Sequence, residues 1–150
     1  MAPDTLPPSG TFDGALHRFP VRIYFEDTDA AGIVYYANYL KFAERARTEM
    51  LRRMGADHSG LMGDTGAAFA VRHLSADYRR PARLDDALHV VTRIDSVGGA
   101  TLAVEQTVER DGEPLVVLTM KLAFMTAGGR PARLPDAVRR VFEGYVTAPA

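Results

Sequence analysis

Cysteine is absent from all 150 residues. That excludes thiol nucleophiles, zinc–cysteine sites and a disulfide framework, while saying little about compartment. Neither sign of charge dominates: 18 basic and 19 acidic residues leave a formal net charge of −1. Such a balance provides no global drive toward nucleic acid or an anionic membrane. No stretch approaches the roughly 18 uninterrupted apolar residues of a spanning helix. The opening "MAPDTLPPSGTFDG" has neither a basic start nor an apolar run, so it does not read as a secretory signal. The expectation is a soluble, cytoplasmic protein without nucleic-acid partners or an integral membrane segment. Other signatures are missing too. No Gly-rich phosphate fingerprint occurs, none of Ser9, Ser59, Ser75 and Ser96 sits in a G-x-S-x-G elbow, and His17, His58, His73 and His89 show no paired-ligand spacing. No metal or redox cofactor is expected. His73 reads as a packed or surface strand residue.

What is present is a clear change of hydrophobic period. Residues 1–15 are rich in proline and glycine with few apolar residues and read as a flexible tail, leaving 16–150 as one domain. His17 to Phe25 alternates, with Phe19, Val21, Ile23 and Phe25 on one side, which predicts a half-buried strand. From Asn38 to Met54, Tyr39, Ala43, Ala46, Met50 and Met54 share one helical face, and Gly55 is positioned to stop the helix. Arg45 and Glu49, four apart, read as a surface pair. Four strand-like runs follow at Ala68–Tyr78, Ala87–Ile94, Thr101–Glu109 and Leu115–Met125, with an Asp111-Gly112 hairpin signal before the last. "LPDAVRRVFEGY" predicts a short closing helix with Pro135 near its first turn. The fold class is α+β, a long helix wrapped by a five-stranded antiparallel sheet.

The chemistry concentrates before the long helix, at Glu26, Asp27 and Asp29. In an extended segment, Asp27 and Asp29 would face the same way. Spacing alone favours turn capping through their side chains. A sharper reading uses the sequel: Ala30-Ala31-Gly32 turns the chain into a helix start, whose leading N–H groups lack intrahelical partners and face a positive dipole end. Those donors can hold a developing oxyanion while an upstream carboxylate attacks a carbonyl or activates water. Because a carboxylate is a weak base and nucleophile, the matching substrate is an activated acyl group, better a thioester than an amide.

At these residues the chain resembles a known family. "VRIYFEDTDAAGIVYYANYLKFAERARTEML" is similar to the N-terminal signature of hotdog-fold thioesterases of the 4-hydroxybenzoyl-CoA type, and "FAERARTEML" resembles the helix of the Tol–Pal-associated acyl-CoA thioesterases among them. "DYRRPARLDDALHV" resembles the same family's entry into its next strand. The resemblance implies hydrolysis of an acyl-CoA thioester to free acid and CoA. Its D-x-D-x-x-G motif falls on Asp27 to Gly32, making Asp29 the nucleophile or general base. The oxyanion donor carried over is the backbone N–H of Tyr36. Gly32 would permit close approach of the thioester or serve as a φ-permissive turn residue, and Asn38 would align the site or cap the helix. Arg79, Arg80 and Arg83 would meet CoA phosphates or remain solvated loop charges. The family's partners follow: an acyl-CoA, with an acyl carrier protein as a further acyl donor, and copies of the chain itself in a homodimer or homotetramer.

One position departs from the pattern, since Tyr36 stands where many Tol–Pal-associated members have His. A phenol does not replace an imidazole base near neutral pH, and the aryl-CoA members also carry Tyr there. A second hotdog type uses a helical Glu after a His-Gly-Gly motif. That motif is missing here, so Glu44 and Glu49 read as ion-pairing residues. Two other classes remain open, a non-catalytic acyl-CoA or acyl-carrier-binding module and a hotdog hydratase or dehydratase. The second normally needs a His beside its acid, and none lies between His17 and His58.

Overall fold

The computed structural model describes residues 6–57 and 65–147. His58, Ser59 and the first five residues of the expected tail lie outside the described residues. The strands are β1 (Thr11–Asp13), β2 (Leu16–Arg22), β3 (Ala67–Tyr78), β4 (Ala87–Val97), β5 (Thr101–Arg110) and β6 (Glu113–Thr126). The helices are α1 (Asn38–Met54), between β2 and β3, and α2 (Asp136–Glu143), after β6. All strands pair antiparallel in the order β1-β2-β4-β5-β6-β3. The hotdog arrangement expected from the resemblance is thus present, with six strands among the described residues rather than five.

The extra strand is β1, drawn from the stretch read as a tail. Phe12 accounts for it: its ring packs edge-on against His17 at 5.1 Å and tilted against Tyr145 at 4.7 Å. Those tertiary contacts hold three residues whose composition favours no structure. The first long strand also ends early, at Arg22 rather than Phe25, because Phe25–Asp27 form a 3-10 turn. The Asp111-Gly112 hairpin is as expected, with both residues at positive φ, 53° and 79°.

Helix α1 occupies the predicted span, and Gly55 ends it in the left-handed region at φ 71°. It packs across β2, β4 and β5. Tyr39, Ala43, Ala46 and Met50 are buried as the period predicts, joined by Phe42, whereas Met54 is only half-buried. A fully buried side chain of that size contributes roughly 1.5–3 kcal/mol, so Phe42 is a principal anchor. Beneath the helix a polar network centres on the fully buried Gln106 and Thr92 and reaches out to the half-buried Arg47. Gln106 donates from Nε2 to the Ala43 carbonyl (2.9 Å) and to Thr92 Oγ1 (3.0 Å), and accepts from Arg47 Nη1 at 2.9 Å. The carbonyl, amide and hydroxyl all find partners, as buried polar groups must. Burial holds the Arg47 guanidinium below its ordinary pKa, with Glu44 opposing that shift.

Two edges remain. β1 covers only part of β2, and β3 forms the far edge of the sheet with most of its twelve residues exposed. Among the described residues, no helix is long and apolar enough to cross a membrane.

Candidate active site

Short polar side chains shape the acidic segment by bonding their own backbone. Asp27 Oδ2 accepts from the Tyr24 N–H at 2.8 Å, and Thr28 Oγ1 donates to the Phe25 carbonyl at 2.7 Å. The segment is therefore a 3-10 turn, not an extension that aligns Asp27 with Asp29. Local side-chain-to-backbone bonds outcompete the strand here. A second turn follows. Asp29 Oδ1 accepts from the Ala31 N–H at 2.9 Å, its carbonyl accepts from the Gly32 N–H at 3.0 Å, and its N–H donates to the Ile33 carbonyl at 2.9 Å. Gly32 sits at φ 80°, a conformation that favours glycine, so its backbone role is present. Asp29 is exposed, and its Oδ2 has no hydrogen-bond partner among the described residues. One oxygen fixes the turn and the other is open.

The helix start is tied to the same turn. The Asp27 carbonyl accepts both the Tyr35 N–H and Asn38 Nδ2, each at 2.9 Å. Ala37 is the N-cap residue and Asn38 the first helical residue, so Asn38 does not cap the helix. Its side chain instead reaches back eleven positions to fasten the acidic turn. The Asn38 N–H donates to the Tyr35 carbonyl at 2.8 Å, while the N–H groups of Tyr36 and Ala37 have no acceptor among the described residues. These are free donors of the kind an oxyanion requires.

The arginine loop runs alongside. The Val34 N–H donates to the Ala82 carbonyl at 2.9 Å, and Ile33 bridges Arg83. Arg79 pairs with Asp77 at 2.8 Å and Arg80 with Glu113 at 3.3 Å, all four exposed. Asp86 braces the loop by accepting the Arg83 N–H (2.8 Å) and Arg110 Nη1 (2.7 Å). Its desolvation opposes ionisation, but these bonds and the two arginine charges hold the carboxyl below its ordinary pKa.

The expected site residues thus share one end of the molecule without sharing one cavity. Asp29 and Gly32 line a shallow depression with Phe25, Thr28, Ala30 and Leu84. Tyr36, Arg79 and Arg80 line another with Tyr39, Tyr78 and Pro81. The Ile33–Val34 segment, clamped to Ala82 and Arg83, runs between them. Asn38 and Arg83 line neither depression: Asn38 bonds the Asp27 carbonyl and Arg83 bridges Ile33. A more enclosed apolar cavity lies under the C-terminal half of α1, lined by Arg47, Met50, Leu51, Phe69, Leu102 and Leu122, and contains none of the expected site residues.

Sequence reasoning overlooked Tyr78, whose hydroxyl donates to the Tyr36 carbonyl at 3.1 Å. No local signal marks it, because its partner is 42 positions away. Phe25, 81% exposed at the rim beside Asp29, was equally hidden. Of the two helical acids, Glu49 pairs as expected in kind but with Arg52 at 2.6 Å rather than with Arg45, and accepts Ser9 Oγ at 3.0 Å, whereas Glu44 makes no ion pair among the described residues. His73 is exposed on β3, whereas His17 is fully buried. Among the described residues no three acidic or histidine side chains converge as metal ligands would.

Comparison with known proteins identifies the family. A family model described as thioesterase superfamily matches residues 31–117, a span opening two residues after Asp29. The acyl-CoA thioesterase YbgC of Haemophilus influenzae is 44% identical over 125 residues, covering 83% of this chain and 92% of that protein. The acyl-CoA thioester hydrolase YbgC of Escherichia coli is 42% identical over 135 residues, covering 85% and 96%. A crystal structure of a probable thioesterase from Bartonella henselae, 39% identical, superposes with a TM-score of 0.76 over 80% of this chain and 99% of that one.

Proposed function

The chain belongs to the thioesterase superfamily, and from that membership we propose that it hydrolyses an acyl-CoA thioester to a free carboxylic acid and CoA. The observation that carries this reading is the identity to two acyl-CoA thioesterases across nearly their whole length. The link through the Asp27 carbonyl between the Asp29 turn and the loop that carries the free Tyr36 N–H supports a division of labour, although the two residues line separate depressions. Asp29, with one carboxylate oxygen anchored and the other open, either attacks the thioester carbonyl carbon or takes a proton from an attacking water. On the general-base route the C–S bond breaks and the proton taken from water passes to the departing CoA sulfur. On the nucleophilic route CoA leaves as thiolate from a mixed anhydride with Asp29, which water then cleaves to the free acid, regenerating the carboxylate and giving its proton to the thiolate. The free Tyr36 N–H stabilises the oxyanion formed on the carbonyl oxygen. Gly32 turns the chain beside Asp29, and Asn38 holds the acidic turn against α1. Arg79, Arg80 and Arg83 face the CoA phosphates. Arg79 and Arg80 would exchange exposed carboxylate partners for phosphate, at small cost because surface ion pairs contribute little. CoA is part of the substrate, and the reaction so written uses no cofactor.

The working unit is a homo-oligomer, a dimer or a tetramer. Two features support this. The long exposed edge β3 invites a second strand. The two depressions at the Asp29 end are also shallow, whereas the less open, largely apolar cavity lies at the opposite end of β3. Antiparallel pairing of β3 with a second copy would bring the Tyr78 end of one chain beside the cavity end of the other.

The test is free-thiol release from acyl-CoA substrates by the native chain and by Asp29→Ala. Turnover is expected to be lost in the variant, with its circular dichroism and CoA-analogue binding retained. Undiminished turnover would sink the assignment.

A further inference from the structure

We propose that Tyr78 is a positioning residue for thioester cleavage: its hydroxyl fixes the Tyr36–Ala37 peptide so that the Ala37 N–H stands beside the Tyr36 N–H as a second donor to the oxyanion. The inference rests on the thioesterase reading above and adds to it a donor and the group that aims it.

A trans peptide is planar, with its C=O and N–H pointing in opposite directions, so anchoring the carbonyl aims the amide. Two successive peptides at the start of α1 are anchored in this way. The Tyr35 carbonyl accepts the Asn38 N–H at 2.8 Å, which directs the Tyr36 N–H. The Tyr36 carbonyl accepts the Tyr78 hydroxyl at 3.1 Å, which directs the Ala37 N–H. Both carbonyls are held, and neither N–H has an acceptor among the described residues. The first anchor is local backbone. The second comes from the last residue of β3, across 42 positions of sequence.

Tyr78 is itself held. Its ring meets Tyr39 edge-on at 5.9 Å and Tyr36 at 6.1 Å. Tyr39 is buried and accepts the Ala82 N–H at 3.0 Å, joining the ladder to the arginine loop. Burial and the neighbouring Tyr36 push the Tyr78 phenol above its ordinary pKa, so its hydroxyl stays protonated and donates throughout the neutral range. Tyr78 never has to touch the substrate. It acts through the peptide it holds, and preorganised donors of this kind cost no reorganisation at the moment of reaction.

The test uses Tyr78→Phe in the full chain, which removes the hydroxyl and keeps the ring. Deleting an oxyanion donor outright lowers kcat by about 10²–10³. Releasing one from its anchor is expected to lower kcat on the order of tenfold, with KM changed less than about twofold. A second readout avoids turnover: the thioester carbonyl stretch of a bound acyl-CoA, recorded in the Asp29→Asn background. The native site is expected to shift that band to lower wavenumber, and adding Tyr78→Phe to return part of the shift, with the melting temperature little changed. If Asp29→Ala retains turnover, the thioesterase reading fails. If Asp29→Ala is inactive but Tyr78→Phe keeps full kcat and an unchanged carbonyl band, the proposal for Tyr78 alone is overturned. A change confined to KM overturns it as well, because that would mark a binding or packing role.

Discussion

Asn38 Nδ2 donates to the Asp27 carbonyl at 2.9 Å, fastening the first residue of the long helix to the turn that presents Asp29. The same carbonyl accepts the Tyr35 N–H. One oxygen therefore joins the acidic turn, the loop with the free amides and the helix. This arrangement makes the relative placement of acid and donors a property of a single hydrogen-bonded node.

Asn38→Ala cuts one of the two bonds at that node. A single hydrogen bond contributes about 0.5–1.5 kcal/mol net, and alanine favours the helix, so the melting temperature should move little. Turnover should respond more, because a small misplacement of reacting groups is costly. The expected result is native circular dichroism with kcat reduced about tenfold, measured by thiol release. Unchanged kcat would remove Asn38 from the site.

Tyr36→Phe separates the backbone of that residue from its phenol. The ring is 61% exposed and its hydroxyl has no bond among the described residues, whereas its N–H is one of the free donors. Activity should stay within about twofold of native, since the backbone donor whose loss would be costly is kept. Tyr36→Phe and Tyr78→Phe delete hydroxyls from two touching rings, and steady-state kinetics should give opposite outcomes. A collapse of activity in Tyr36→Phe would transfer the role to the phenol.

Gln106→Leu tests the enclosed network under α1. The replacement is close in size but removes the donor to buried Thr92 Oγ1 and the oxygen that accepts from the half-buried Arg47 guanidinium at 2.9 Å, leaving Arg47 with Met120 Sδ, while the Ala43 carbonyl keeps its helical bond. Each stranded group costs about 1–3 kcal/mol. Chemical denaturation should show a loss of at least about 2 kcal/mol. Pairing Gln106→Leu with Arg47→Met should recover part of the loss, since removing both partners is milder than removing one.

His17 predicts acid sensitivity of the N-terminal strand. Its ring is buried, Nε2 meets the Ser9 carbonyl at 2.8 Å, and Nδ1 has no partner among the described residues. Desolvation lowers the pKa below 6.5, aided by Arg53 and opposed by the Ser9 bond and Glu49. Because the folded pKa is depressed, the stabilisation is present above the unfolded value and is lost as pH falls through the folded one. Denaturation curves should therefore weaken progressively below about pH 6.5, and His17→Phe should flatten that slope. Gly10 sharpens the prediction, since at φ 77° an added Cβ would lie 2.7 Å from His17 Nε2 and against the Arg18 carbonyl.

Much of this protein follows from its sequence because the relevant forces act over a few residues. The change from period two to period 3.6 located β2 and α1, Gly55 ended the helix, and Asp111-Gly112 turned the last hairpin. Asp27 and Asp29 were legible as turn residues because their carboxylates bond backbone two or three positions away. What needed the tertiary structure involves partners distant in sequence. Phe12 orders β1 only by meeting His17 and Tyr145, Gln106 satisfies Arg47 across 59 positions, and Tyr78 reaches Tyr36 across 42. Local chemistry marked the turn and the helix start, and the family resemblance singled out Asp29 as the proposed acid. Only the folded sheet, by bringing the end of β3 against that start, determined which group holds the Tyr36–Ala37 peptide.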